Sequence, residues 1–233
     1  MLRRSPARDH FIKTLAAENA ARDESGTIPT NSAYEQMLLQ LVDHQRQLKH
    51  VQSKELKAKR KADFLPLYEA YVDGVLTANT GQQDNVLMTI MVWRIDAGDL
   101  EGALQIGAYA LKHNLATPEQ YKRDTATLLV EEVADHVLHQ VLSNDDQQNV
   151  DSPDLENLKR MADLVDQART ITAEHDMPDE VRAKMHKAIG LCVEIQNPDD
   201  AKKQYERALQ LDEKSGVKKF IERVGRAIKN AGK

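Results

Sequence analysis

The chain has 233 residues, 41% hydrophobic and 30% charged, with a formal net charge of −5; this balance excludes disordered and fibrous classes and suffices for one large core or two smaller ones. Aromatics make up only 4%, glycine and proline are sparse, and the remainder is dominated by good helix formers, so the composition is all-α. The lone Cys192 excludes an internal disulfide framework and is expected as a small buried core residue, while the absence of any run of ~18 to 20 apolar residues or of a signal-peptide core leads to the expectation of a cytoplasmic protein with no membrane partner.

Helix punctuation is readable along the chain. A first helix is expected near 6–22, followed by the turn-rich segment Asp23-Glu-Ser-Gly-Thr-Ile-Pro29, so residues 1–31 are expected as a mobile N-terminal helix and linker. Ser32 with Glu35 has the form of a capping box and opens one long helix over 32–62 that ends in the basic run Lys54-Glu-Leu-Lys-Ala-Lys-Arg-Lys61. Tyr34, Met37, Leu38, Leu41, Leu48 and Val51 fall near heptad spacing on it, which suits an intersubunit helical seam and equally an amphipathic helix packed on its own domain. Helices near 64–79, 83–97 and 99–113 follow. The first two are apolar around most of their circumference, as core or assembly helices are. Thr117-Pro118 with Gln120 marks a start near 118, for a helix to 143, and the polar run from Asn144 to Ser152 is a link. Ser152-Pro153, Met177-Pro178 and Asn197-Pro198 open helices over 153–174, 178–195 and 198–212, and a last helix covers 216–230. Gly26, Gly81, Gly98, Asn114 and Gly216 are stop signals. The domains expected are therefore 1–31, 32–143, a linker at 144–152, and 153–233. In the last domain, the segment 198–211 carries Ala, then an aromatic residue, then Ala-Leu, as 98–111 does, and looks like the second helix of a tetratricopeptide-like α-hairpin, a partner-binding module.

Charge is distributed unevenly. Residues 1–62 carry 12 Lys and Arg against 7 Asp and Glu, a net of +5, which leaves −10 for residues 63–233. Arg46, Lys49, Lys54, Lys57, Lys59, Arg60 and Lys61 form a basic stripe suited to phosphates rather than to base edges; Arg3, Arg4, Arg8 and Lys13 add to that half, and no aromatic residues interleave with the stripe as a single-strand binder requires. The candidate catalytic cluster is Glu132, Asp135, His136 and His139, at helical spacings from which carboxylates and imidazoles can converge on a metal ion that activates water. No Walker-type glycine loop is present, so ATP hydrolysis by that route is not expected.

The segments Tyr34-Glu-Gln-Met-Leu38, Ser53-Lys-Glu-Leu-Lys-Ala-Lys59, Tyr71-Val-Asp-Gly-Val-Leu76, Gln83-Asp-Asn-Val-Leu-Met-Thr-Ile-Met-Val-Trp-Arg-Ile-Asp-Ala-Gly-Asp99 and Met177-Pro-Asp-Glu-Val-Arg-Ala-Lys-Met-His-Lys187 resemble the small terminase subunit of peduovirus-type temperate phages, a family labelled the terminase endonuclease subunit. The resemblance runs from about 34 to 225 and is most specific over 83–99. It implies a subunit that binds the cos region of double-stranded phage DNA, assembles as a ring-like homo-oligomer and recruits the large ATPase and nuclease subunit for packaging. Leu41, Leu48, Val51, Val86, Leu87, Ile90, Met91 and Trp93 are the expected oligomerisation residues, and the stripe from Arg46 to Lys61 the expected DNA contact. The chain ends in a mildly basic Lys229-Asn-Ala-Gly-Lys233, so DNA contact is expected mainly in the N-terminal half. No cofactor is expected, magnesium being required only if the chain is itself a metal-dependent cos endonuclease; a helical assembly adaptor without DNA affinity is the other alternative.

Overall fold

A computed structural model describes residues 6–22, 33–118, 122–146 and 154–231. The described residues are helical and contain no strand. In chain order the helices are α1 (Pro6–Arg22), α2 (Ala33–Lys49), α3 (Lys54–Phe64), α4 (Glu69–Ala78), α5 (Asn85–Asp96), α6 (Leu100–Lys112), α7 (Thr125–Asp146), α8 (Leu155–Ile171), α9 (Asp179–Val193), α10 (Pro198–Leu211) and α11 (Lys218–Ala231), with a 3₁₀ turn at Leu65–Leu67. None of them is long and apolar enough to cross a membrane.

The contacts divide the chain into two units, 1–125 and 126–233. The division falls earlier than the polar link read over 144–152, of which only 144–146 are described, as the end of α7. Beyond Thr125, α7 belongs with the second unit, where Leu138, Val141 and Leu142 pack on its core.

In the first unit α5 is the central helix. Val86 to Met91 are fully or almost fully buried, as are Trp93 and Ile95, as expected of a helix apolar on nearly all sides. Its start is fixed by Asp84, whose carboxylate accepts from the Leu87 N–H at 2.8 Å and from the Tyr71 hydroxyl at 2.5 Å. Burial raises the pKa of this carboxyl group. Asp99 caps α6 by accepting from Gly102 N–H at 3.0 Å and also holds Arg94. α1 is packed on α4 rather than free of it: Ile12 and Ala16 are buried, Lys13 lies 3.5 Å from Asp73, and Gly74 admits the Lys13 carbonyl, which would lie 2.5 Å from any Cβ there. The linker at 23–32, with Gly26 and the Ser32 cap, lies outside the described residues.

Two expected helix boundaries are corrected. The single helix over 32–62 is two helices, α2 and α3, separated at His50 to Ser53, where the Ser53 hydroxyl accepts from Leu56 N–H at 3.2 Å and starts a new helix. Thr117-Pro118 does not open α7. The Thr117 hydroxyl instead donates to the Arg123 carbonyl at 2.7 Å, closing a loop, and α7 begins at Thr125.

In the second unit α8 packs on α9, α9 on α10 and α10 on α11. Asn197 caps α10 through Asp200 N–H at 3.1 Å with Pro198 in the first turn, as the sequence indicates. The Ser152-Pro153 cap lies outside the described residues, and Asp154 caps α8. Gly190 lets the buried Tyr205 ring lie against the α9 backbone; Tyr205 donates to Glu194 at 2.6 Å, and Arg223 of α11 grips the same carboxylate at 2.5 and 2.8 Å. Cys192 is buried, and burial pushes its thiol up to about 12.

Candidate nucleic-acid interface

The basic stripe lies on an elbow between α2 and α3, and an aromatic pin fixes the elbow. His44 of α2 stacks on Phe64 with ring centroids 3.9 Å apart and planes 1° from parallel, and its Nδ1 lies 2.8 Å from the Tyr68 hydroxyl. Phe64 and Tyr68 each meet Trp93 of α5 at 6.2 and 6.3 Å between centroids. Burial lowers the His44 pKa, so the imidazole is held neutral between the aromatic rings. Sequence pattern alone makes His44 a polar interruption in a heptad; its neighbours Phe64 and Tyr68, 20 and more residues away, give it its role.

The expected phosphate contacts fall into two groups around this pin. Lys57 and Lys61 share one face of α3 at i and i+4, and that face turns toward α5: both are half-buried, and Lys61 is ion-paired with Asp96. Arg46 and Lys49 at the end of α2, and Lys54, Lys59 and Arg60 on α3, are exposed and have no acidic partner among the described residues. Glu55 and Asp63 lie on the outer side of α3 with Lys59 and Arg60, diluting their field. Arg60 and His50 also line a cavity of about 190 Å³ inside the elbow, with Gln47, Leu48, Val51 and Phe64 as its other walls. Of the further basic residues, Arg3, Arg4 and the Arg8 side chain lie outside the described residues.

The expected oligomerisation residues are not on the surface. Leu41, Leu48, Val86, Leu87, Ile90, Met91 and Trp93 are buried in the protomer's own core, and only Val51 is half-exposed. The exposed apolar side chains of this region are Leu39, at 73%, Val42 and Leu56. Leu39 and Val42 share the outer side of α2 with Arg46 and Lys49, at helical spacings of three, four and three.

The candidate catalytic cluster does not assemble. Lys184 of α9 places its ammonium 2.9 Å from Asp135 and 3.1 Å from Glu131, so the Asp135 carboxylate is already paired with a cation of the chain. Burial, and then the neighbouring His139, lower the His136 pKa, while His139 points to solvent. Among the described residues no three His, Cys, Asp or Glu side chains are grouped so as to hold a metal ion, and the residues present do not fit one.

This all-helical chain belongs to the phage small terminase subunit family, which it matches over residues 38–180. It is 41% identical to the "Terminase, endonuclease subunit" of Escherichia phage P2 over 228 residues, covering 97% of this chain and 86% of that protein. No solved structure gives a significant match. Family membership gives the chain a role in phage DNA packaging.

Proposed function

We propose that the chain is the recognition subunit of a packaging terminase: it binds duplex DNA of the cos region, assembles as a ring-like homo-oligomer, and recruits a large ATPase and nuclease subunit. The observation that carries the DNA contact is the set of five exposed cations at the α2–α3 elbow, Arg46, Lys49, Lys54, Lys59 and Arg60, each without an acidic partner among the described residues. Cations held in this way exchange condensed counterions for phosphates, so the affinity they confer depends steeply on salt. The outer side of α2 suits the contact between copies, because Leu39 and Val42 are exposed there while the rest of the apolar set is spent on the protomer's core. Arg46 and Lys49 continue the same stripe, so a seam formed there brings elbow cations from neighbouring subunits together. The α9–α10 hairpin, a tetratricopeptide-like module by its sequence, remains the dock for the large subunit.

The test is charge reversal of Lys54, Lys59 and Arg60 on α3 to Glu, leaving Arg46 and Lys49 in place because they flank the proposed seam, and Lys57 and Lys61 because their face turns toward α5. Duplex binding should be lost at ~150 mM salt, where each phosphate contact contributes roughly 0.9 to the salt slope, while mass photometry finds the oligomer unchanged. Undiminished binding by the variant overturns the assignment, and an oligomer that ignores DNA altogether returns the adaptor reading.

The printed name of the P2 relative motivates a second reading, that the chain itself cuts cos DNA. Nicking of cos DNA by the isolated chain would establish it, and, because the Glu132 cluster does not fit a metal ion, that nicking should survive Glu132→Ala. A chain that leaves cos DNA intact would exclude this reading.

A further inference from the structure

The elbow is not the only basic stretch of the chain. Residues 214–233 hold seven Lys and Arg against the single acid Glu222, a net of +6 in 20 residues, the same net charge that residues 46–61 carry in 16. α11 sorts these charges completely. Val217, Phe220 and Val224 are buried and Ile221 and Ile228 half-buried on one side, so its apolar face is spent on the second unit's core. Across the helix, Lys218, Lys219, Glu222, Arg223, Arg226 and Lys229 are all exposed. Of these cations only Arg223 is tied to a carboxylate, Glu194; Lys218, Arg226 and Lys229 have no acidic partner among the described residues.

We propose that the outer face of α11 is a second contact surface for duplex DNA, distinct from the elbow and in the other unit of the chain. This goes beyond the proposed function and rests on it for the identity of the ligand. At about 1.5 Å of rise per residue, Lys218 and Lys229 stand roughly 16 Å apart along the helix, enough to reach phosphates on both sides of a major groove about 12 Å wide.

The chemistry of the face favours a phosphate backbone over an acidic protein segment. Protein interfaces gain most of their energy from buried aromatic and aliphatic anchors. The other exposed residues of α11 are Glu222, Ala227, Asn230 and Ala231, and no large apolar side chain of α11 is exposed. At the start of the helix positive charge is crowded around one ring: Lys219, Arg223 and Lys187 lie 4.9, 5.0 and 5.8 Å from the Phe220 centroid. Lys187 is lowered below the usual lysine range by burial and then by the charge of Lys219. A bound polyanion relieves that mutual repulsion.

The experiment measures binding of the full chain to a labelled duplex across a salt series, for the wild type, a Lys218→Gln/Arg226→Gln/Lys229→Gln variant and a Glu222→Gln variant. The triple variant should lower the salt slope by about 2 to 3 and weaken binding at least tenfold at ~150 mM salt. Glu222→Gln removes the one opposing charge and should tighten binding a few-fold, a gain that misfolding cannot imitate. A triple variant that binds like the wild type while the elbow variant loses binding overturns this inference alone. A wild type that ignores DNA at every salt overturns it together with the proposed function. Labelled polyglutamate run in parallel gives the remaining outcome: peptide binding lost in the triple variant with DNA binding unchanged assigns α11 to an acidic protein partner instead.

Discussion

Gly190→Ala tests the close approach on which the α9–α10 hairpin depends. A Cβ at position 190 would lie 2.5, 2.8 and 3.1 Å from Cε1, Cδ1 and Cζ of Tyr205, where carbon atoms ordinarily rest about 3.5 to 4.0 Å apart. The ring has nowhere to retreat: it is fully buried, lies 5.5 Å from Phe220 between centroids, and is anchored through its hydroxyl to Glu194, which also holds Arg223. Overpacking of this kind costs roughly 1 to 3 kcal/mol. Replacing a mid-helix glycine by alanine returns about 0.8 to 1.0 kcal/mol of helix propensity. The difference is a net loss of about 0 to 2 kcal/mol, a fall in Tm of up to about 10 °C for a unit of roughly 100 residues. Gly225→Ala is the control, because a Cβ there meets nothing within 4 Å and only the propensity gain of about 1 kcal/mol remains. Thermal unfolding followed by circular dichroism reads both. A Gly190→Ala protein as stable as Gly225→Ala would refute the packing of Tyr205 against the α9 backbone.

Other expectations follow from buried polar groups. Asp84→Ala removes the α5 cap, worth about 1 kcal/mol, and strands the buried Tyr71 hydroxyl at about 1 to 3 kcal/mol more; chemical denaturation should find a loss of about 2 to 4 kcal/mol, and a loss below 1 would show that neither bond matters. His44, His136 and His186 all have native pKa values lowered, chiefly by burial. Below the unfolded value of about 6.5 the unfolded chain therefore binds more protons than the native one, so stability falls as pH drops from 6.5 toward the native values. The three histidines should contribute no pH dependence around pH 7.5 and a destabilising one between pH 6.5 and 5, opposed there by the raised carboxyl group of Asp84; wild-type Tm should therefore fall relative to that of His44→Gln over this interval, and two Tm curves that run parallel would contradict the burial of the His44 ring.

Local chemistry was legible in the sequence, and long-range partners were not. The Asn197-Pro198 start of α10 was readable because a cap and the N–H that donates to it lie three residues apart. The break between α2 and α3 was hidden because His50 to Ser53 contains neither Gly nor Pro and the heptad pattern runs on into Val51; the stacking of His44 on Phe64, 20 residues away, accompanies the turn. Thr117-Pro118 has the chemistry of a cap, yet its hydroxyl was taken by a carbonyl six residues on. Charge counts located the basic elbow, but the pairing of Lys61 with Asp96 spans 35 residues and leaves no trace in spacing. The apolar coverage of α5 signals burial without saying by what, and it suits core and assembly surface alike; Val86, Leu87, Ile90, Met91 and Trp93, the expected contacts between subunits, are buried in the protomer. The α11 surface was within reach: the same count that singled out residues 1–62, applied to 214–233, gives the higher charge density.

The central claim is that this family member recognises packaging DNA as an assembled subunit. Binding of the purified wild-type chain to a labelled cos duplex and to a scrambled duplex of equal length, across a salt series with mass photometry on the same samples, tests it most directly. The account expects a high oligomer that prefers cos, with affinity falling steeply and linearly in the logarithm of salt. A monomer, or an oligomer that binds neither duplex at any salt, would contradict it.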